Sequence, residues 1–135
     1  MAKLLVVDDN ENISFLYEQE LSEDNHDVTS ISSAIEALEY LKTNRPDLIV
    51  LDICMPEMDG IEFLQRLRAK SISIPIILNT GFSSCSEYSR SADRCVVKSG
   101  DLTELRNQIN SVLSGLKEHC QGPAEISALQ VLTAF

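Results

Sequence analysis

The chain has 135 residues, of which 44% are apolar and 24% charged, a composition too apolar for intrinsic disorder and a length suited to one compact domain. Its 21 acidic and 11 basic residues give a formal charge of −10, so nucleic-acid backbones and anionic membranes are repelled on average, and no direct nucleic-acid binding is expected. The apolar run at the N-terminus is too short for a signal-peptide core and no stretch approaches the roughly 20 apolar residues of a membrane span, so no membrane insertion and a cytoplasmic location are expected.

The first element is the apolar run Lys3 to Val7, which ends abruptly in Asp8-Asp9-Asn10 and gives way to helical spacing at Ile13, Leu16, Tyr17 and Leu21. After the polar stretch Ser22 to His26, Val28 and Ile31 mark a short strand, and Ala34, Ile35, Ala37, Leu38 and Leu41 a second helix closed by Pro46. Leu48-Ile49-Val50-Leu51 is a continuous apolar run of the kind buried on both faces of a parallel sheet, and Asp52 stands at its end. Beyond the turn Met55-Pro56-Glu57-Met58-Asp59-Gly60, the spacing of Ile61, Phe63, Leu64 and Leu67 predicts a third helix.

Ile74, Ile76, Ile77 and Leu78 make a fourth strand followed by Thr80, with Pro75 placing its beginning outside the regular ladder. The serine-rich segment Gly81 to Arg94 has low helix propensity, so the helix expected there is short or irregular. Cys95-Val96-Val97 supplies a fifth strand ending at Lys98, and Leu102, Leu105, Ile109, Val112, Leu113 and Leu116 an amphipathic last helix. Strands alternating with helices imply an α/β fold, a doubly wound five-stranded parallel sheet with helices on both faces. The domain is expected to span residues 1–117. Residues 118–135 would be a C-terminal tail with room for a short helix, either folded back on the domain or pairing two protomers in a homodimer.

Ligands of such sheets bind beyond the carboxyl ends of the strands, and there the polar residues gather. Asp8 and Asp9 end the first strand, Asp52 the third and Lys98 the fifth, while Thr80 follows the fourth. Three carboxylates at one rim repel one another, and a hard divalent cation is the natural remedy. Mg2+ suits one or two carboxylates plus a phosphate, and the chain has no ligand-dense loop of the kind that favours calcium. With the charge offset, Asp52 can act as a carboxylate nucleophile on phosphorus, Lys98 can pair with one phosphoryl oxygen and Thr80 can hydrogen-bond another. Singly, each residue has a plainer role: Asp9-Asn10 as a helix cap, Asp59-Gly60 as a turn, Thr80 as a strand end and Lys98 as a solvated charge. Their joint placement argues for the shared site.

Leu4-Leu5-Val6-Val7-Asp8-Asp9, Leu48-Ile49-Val50-Leu51-Asp52 with Met55-Pro56-Glu57-Met58-Asp59-Gly60, Thr80-Gly81 and Val96-Val97-Lys98 occur in this order over residues 1 to about 117. In this the chain resembles the receiver domains of bacterial two-component response regulators. The resemblance implies a flavodoxin-like sheet of strand order 2-1-3-4-5. It implies Mg2+ held by Asp9, Asp52 and the backbone carbonyl of Cys54, with Asp8 holding a metal water, and Asp52 phosphorylated by a histidine kinase or phosphotransfer protein. The output would be altered contact with a downstream protein, as a stand-alone signalling switch that assists its own phosphoryl transfer and dephosphorylation and is not otherwise an enzyme.

Three features depart from the family pattern. Cys95 stands where the family carries an aromatic switch, the segment from Thr80 to Lys98 is about one helical turn shorter than usual, and Ser99 replaces a common proline. A pseudo-receiver scaffold that binds partners without phosphorylation is therefore the rival reading. An aspartate-nucleophile phosphatase is disfavoured because Cys54 stands where its general acid would be, and a flavin carrier because Asp8-Asp9 would repel the phosphate. Cys54, Cys85, Cys95 and Cys120 form no CxxC pair, so four free thiols are expected in a reducing compartment.

Overall fold

The structure, a computed structural model, describes residues 2–53, 55, 57–80, 92–98 and 101–121, with side chains up to residue 115. Its elements in order are β1 (Lys3–Val7), α1 (Glu11–Ser22), β2 (Asp27–Ile31), α2 (Ala34–Tyr40), β3 (Leu48–Leu51), α3 (Gly60–Ala69), β4 (Ile76–Thr80), β5 (Arg94–Val97) and α4 (Thr103–Gln121). The strands form one five-stranded sheet of order β2-β1-β3-β4-β5, and every pair is parallel. The fold class and strand order are therefore those expected, and β1 is the point where the chain reverses its direction of travel across the sheet.

Strand alternation divides the core in two. Leu5, Val7, Ile49, Leu51, Ile76 and Leu78 face α2 and α3, where Ala37, Phe63, Leu64 and Leu67 cover them. Leu4, Val6, Leu48, Val50, Ile77 and Val96 face Tyr17 and Leu21 of α1 and Leu105 and Ile109 of α4. All four residues of β3 are buried, which explains why that strand reads as an unbroken apolar run.

Each of the first three helices starts on a side-chain cap. The Asn10 side chain accepts from the backbone N–H groups of Asn12 and Ile13, Ser33 from Glu36, and Asp59 from Glu62. The buried face of α1 is Ser14, Tyr17 and Leu21, whereas Leu16 and Ile35, counted with the apolar patterns of their helices, are 37% and 44% exposed. A helix buries about a third of its circumference, and an apolar residue one position from that stripe turns to solvent. Pro75 lies just outside β4, where its carbonyl accepts the Ile49 N–H at 3.0 Å.

The last helix continues through Gln121, past the expected domain end at residue 117. Of the segment Gly81 to Arg94, expected to hold a short or irregular helix, residues 81–91 lie outside the described residues, as do residue 99 and the tail from residue 122, while Arg94 already belongs to β5. Among the described residues, no helix is long and apolar enough to cross a membrane.

Candidate functional site

Because the strands are parallel, all their carboxyl ends lie on one rim, and short backbone bonds carry the ladder one residue beyond them. The Asp8 N–H donates to Ile31 O at 3.2 Å, the Asp52 N–H to Val7 O at 3.0 Å and the Lys98 N–H to Thr80 O at 2.6 Å. These bonds fix Asp8, Asp52 and Lys98 in register with one another. Asp8 and Asp52 are buried at 2% and 5% exposure, while Asp9 is exposed.

One carboxylate oxygen from each of Asp8, Asp9 and Asp52 lies within 4.8 Å of the other two, so the three form a group that could hold a metal ion. All the donors are hard oxygens and one of them faces solvent, which fits a cation that keeps several of its waters, as Mg2+ does. Thr80 is buried at the end of β4. Cys54, whose carbonyl was expected among the ligands, lies outside the described residues.

Lys98 completes the group. Its Nζ stands 2.9 Å from Asp8 Oδ2 and 3.3 Å from Asp52 Oδ2, with the lysine side chain 19% exposed. Burial is the largest single influence on the ammonium and pulls its pKa down. The hydrogen bond to Asp8 and the charges of Asp52 and Asp8 outweigh it, so the pKa rests above the usual lysine value.

Neighbouring residues hold the carboxylates in place. The Asn10 N–H donates to Asp8 Oδ1 at 2.9 Å, and the Ser14 hydroxyl donates to the Asp8 carbonyl at 3.3 Å, so the first turn of α1 wraps the end of β1. The Gly60 N–H donates to Ile53 O at 2.8 Å. A Cβ at Gly60 would fall 2.4 Å from Asp52 O and 2.8 Å from Ile53 Cα, so only glycine lets α3 start this close to the phosphoacceptor candidate.

Of the residues singled out in the sequence, the fold thus brings Asp8, Asp9, Asp52 and Lys98 together and ties Thr80 to Lys98 through the backbone. Sequence reasoning missed Asn79, a buried amide that donates to the Tyr17 hydroxyl. The signal was a lone polar residue in the run Ile76-Ile77-Leu78-Asn79. The expectation of four free thiols is also corrected, since Cys95 is disulfide-bonded. Spacing along the chain tests for zinc motifs, whereas a disulfide requires only that two Cα atoms approach within roughly 4.4–6.8 Å in space.

Comparison with known proteins identifies the family. The response regulator receiver domain family matches residues 4–110. The chain is 35% identical over 115 residues to the alkaline phosphatase synthesis transcriptional regulatory protein PhoP of Bacillus subtilis (strain 168), an alignment covering 82% of this chain and 48% of that protein. It therefore spans about half the length of the curated relatives it matches. The response regulator TrrA of Thermotoga maritima, solved in complex with Mg2+ and BeF, superposes with a TM-score of 0.77 at 35% identity, covering 82% of this chain and 98% of TrrA. TrrA has also been solved in complex with the histidine kinase ThkA, and that copy matches at 35% identity with a TM-score of 0.77, covering 84% of this chain and 99% of it. With the family matched across the sheet that builds the acidic rim, the chain belongs to the receiver domains of response regulators, the signalling domains of two-component systems.

Proposed function

We propose that the chain is a phosphorylatable switch in which Asp52 accepts a phosphoryl group from the phosphohistidine of a histidine kinase or phosphotransfer protein. The observation that carries this reading is the convergence of Asp8, Asp9 and Asp52 within 4.8 Å beside the Lys98 ammonium. Asp9, Asp52 and the Cys54 carbonyl would hold Mg2+, with Asp8 acting through a metal water. When bound, the ion would supply positive charge against the carboxylates and the incoming phosphoryl oxygens. The Mg2+–BeF complex of TrrA and its complex with ThkA support the same assignments of metal and phosphoryl donor.

In the transfer, a carboxylate oxygen of Asp52 attacks phosphorus. The new O–P bond forms as the N–P bond to the donor histidine breaks, and the histidine nitrogen keeps the electron pair. Phosphoryl transfer is chiefly a matter of placing groups and offsetting charge, and here Lys98 meets one phosphoryl oxygen while the Thr80 hydroxyl donates to another. The same groups would assist hydrolysis, in which water attacks the phosphorus, inorganic phosphate leaves and the Asp52 carboxylate is restored.

The signal passes through altered protein contacts, with a downstream protein or with a second copy of the chain. Val97 of β5, 50% exposed beside Lys98, offers an apolar contact on the face next to the site. The chain acts in the cytoplasm in this reading, where histidine kinases hold their phosphoryl groups.

Incubation with acetyl phosphate and Mg2+ tests the proposal. Mass spectrometry is expected to show a gain of one phosphoryl group that Asp52→Asn abolishes. No gain, which the pseudo-receiver scaffold predicts, or a label on another residue would overturn it.

A further inference from the structure

Among the described residues, the buried polar or charged side chains other than tyrosine are Asp8, Ser14, Asp52, Asn79 and Thr80. Four of them form the rim or bond to it, since the Ser14 hydroxyl donates to the Asp8 carbonyl. Asn79 is the exception. Its neighbour Ile77 packs on the α1 and α4 side of the sheet and Leu78 on the other, so strand alternation sends Asn79 toward α1. There its Nδ2 donates to the Tyr17 hydroxyl across a separation of 62 residues, with both residues 2% exposed.

Packing alone does not call for this pair. A buried amide and a buried hydroxyl give up their waters, and an apolar pair of similar shape fills such a space at little or no loss of stability. The bond does join the two halves of the site. On one side, Tyr17 belongs to α1, whose first turn holds Asp8 through the Asn10 N–H and the Ser14 hydroxyl. On the other, Asn79 pairs in register with Val96 and Thr80 with Val97, and the Thr80 carbonyl accepts the Lys98 N–H. Tyr17 also lies within the field of the site. Burial raises the pKa of its phenol above the usual tyrosine value, Asn79 and Lys98 pull it down, and Asp8 and Asp52 add to the rise.

We propose that the Tyr17–Asn79 hydrogen bond is a positioning device for phosphoryl transfer, setting the distance between the carboxylates held by β1 and α1 and the Thr80–Lys98 pair carried by β4 and β5. The inference rests on the phosphoryl-transfer reading above. Tyr17 and Asn79 touch no reacting atom. They act by keeping the groups that do at a fixed separation, where a misplacement of about 1 Å slows a reaction by as much as about 100-fold.

The test follows the rate of Asp52 phosphorylation by acetyl phosphate, the Mg2+ affinity by calorimetry and the thermal midpoint in the full chain. It compares the wild type with Tyr17→Phe, with Asn79→Leu and with the double variant. Each single variant is expected to lose stability and to phosphorylate about 10-fold more slowly. The double variant leaves no polar group unpaired, so it should regain stability but stay slow, with Mg2+ affinity unchanged throughout. A double variant that phosphorylates at the wild-type rate would make the pair a packing feature and overturn the proposal. Should the double variant not fold, Tyr17→Phe decides the question alone, because it removes one oxygen and is measured well below its own midpoint; a wild-type rate there overturns the proposal equally. A wild type that takes no phosphoryl group at Asp52 would bring down the underlying reading and this inference with it. Normal wild-type labelling with unslowed variants would remove the inference only.

Discussion

The Lys98 ammonium lies 2.9 Å from Asp8 and 3.3 Å from Asp52, so one cation at the end of β5 bridges the carboxylates at the ends of β1 and β3. Removing it leaves two buried carboxylates facing each other. Lys98→Met is expected to destabilise the metal-free chain by about 2–4 kcal/mol, toward the lower part of the range for breaking a buried pair because Lys98 keeps some contact with solvent. Mg2+ brings positive charge to the same carboxylates, so its addition should raise the thermal midpoint of Lys98→Met by more than that of the wild type. Equal gains in the two proteins would show that lysine and metal do not share this electrostatic task.

The same pair makes stability depend on pH at the alkaline end. The folded pKa of Lys98 lies above lysine's ordinary 10.5, so the folded chain holds the proton more tightly than the unfolded chain. The associated stabilisation is fully present below pH 10.5 and is lost as pH rises through the higher folded value. Urea unfolding in EDTA from about pH 9 to about pH 12 should therefore show a steeper fall for the wild type than for Lys98→Met. Tyr17, whose pKa is also raised and which Lys98 pulls down, contributes with the same sign but by a different amount in the two proteins, so the comparison is made in a Tyr17→Phe background, where the difference between the two curves reports Lys98. Parallel curves would contradict the prediction.

How much of this was legible in the sequence depended on whether a residue acts through its own strand or across the fold. The parallel sheet could be read because β3 is apolar throughout and because Asp8, Asp9, Asp52, Thr80 and Lys98 fall at or just beyond strand ends, which a parallel sheet places on one rim. Leu16 and Ile35 belong to the helical spacing but are exposed, because that spacing fixes which residues share a face only to within one position. The Tyr17–Asn79 bond and the disulfide at Cys95 were not legible. The first joins residues 62 positions apart that only tertiary packing brings together, and neither leaves a mark in spacing. The Asn79 amide left a faint one, as the polar interruption of an apolar strand.

Gly60 sets a steric limit beside the site. Its φ is not positive, so the requirement is one of space and not of backbone freedom. A Cβ would stand 2.4 Å from Asp52 O, a backbone atom pinned by its place at the end of β3. Gly60→Ala must push α3 away from β3, and the strain of such overpacking typically costs about 1–3 kcal/mol. The displaced loop carries Asp52 with it, so phosphorylation by acetyl phosphate should slow even at temperatures where the variant is fully folded. A variant with both stability and rate unchanged would mean that the approach of α3 is looser than the geometry indicates.

Asp9 separates the metal's contribution from that of the core. It is exposed and reaches the cluster only through its carboxylate, so Asp9→Asn removes a charge without opening a cavity. In EDTA the substitution relieves repulsion from Asp8 and Asp52, and stability should be unchanged or rise by a few tenths of a kcal/mol, the usual scale at exposed positions. In Mg2+ at about one hundred times the wild-type dissociation constant, the wild type gains about 2.7 kcal/mol by mass action, and Asp9→Asn should lose most of that gain. The order of the two thermal midpoints therefore inverts or opens up when Mg2+ is added. A structural role for Asp9 would instead lower stability equally in both buffers, and an Asp9→Asn protein that responds to Mg2+ like the wild type would place the ion elsewhere.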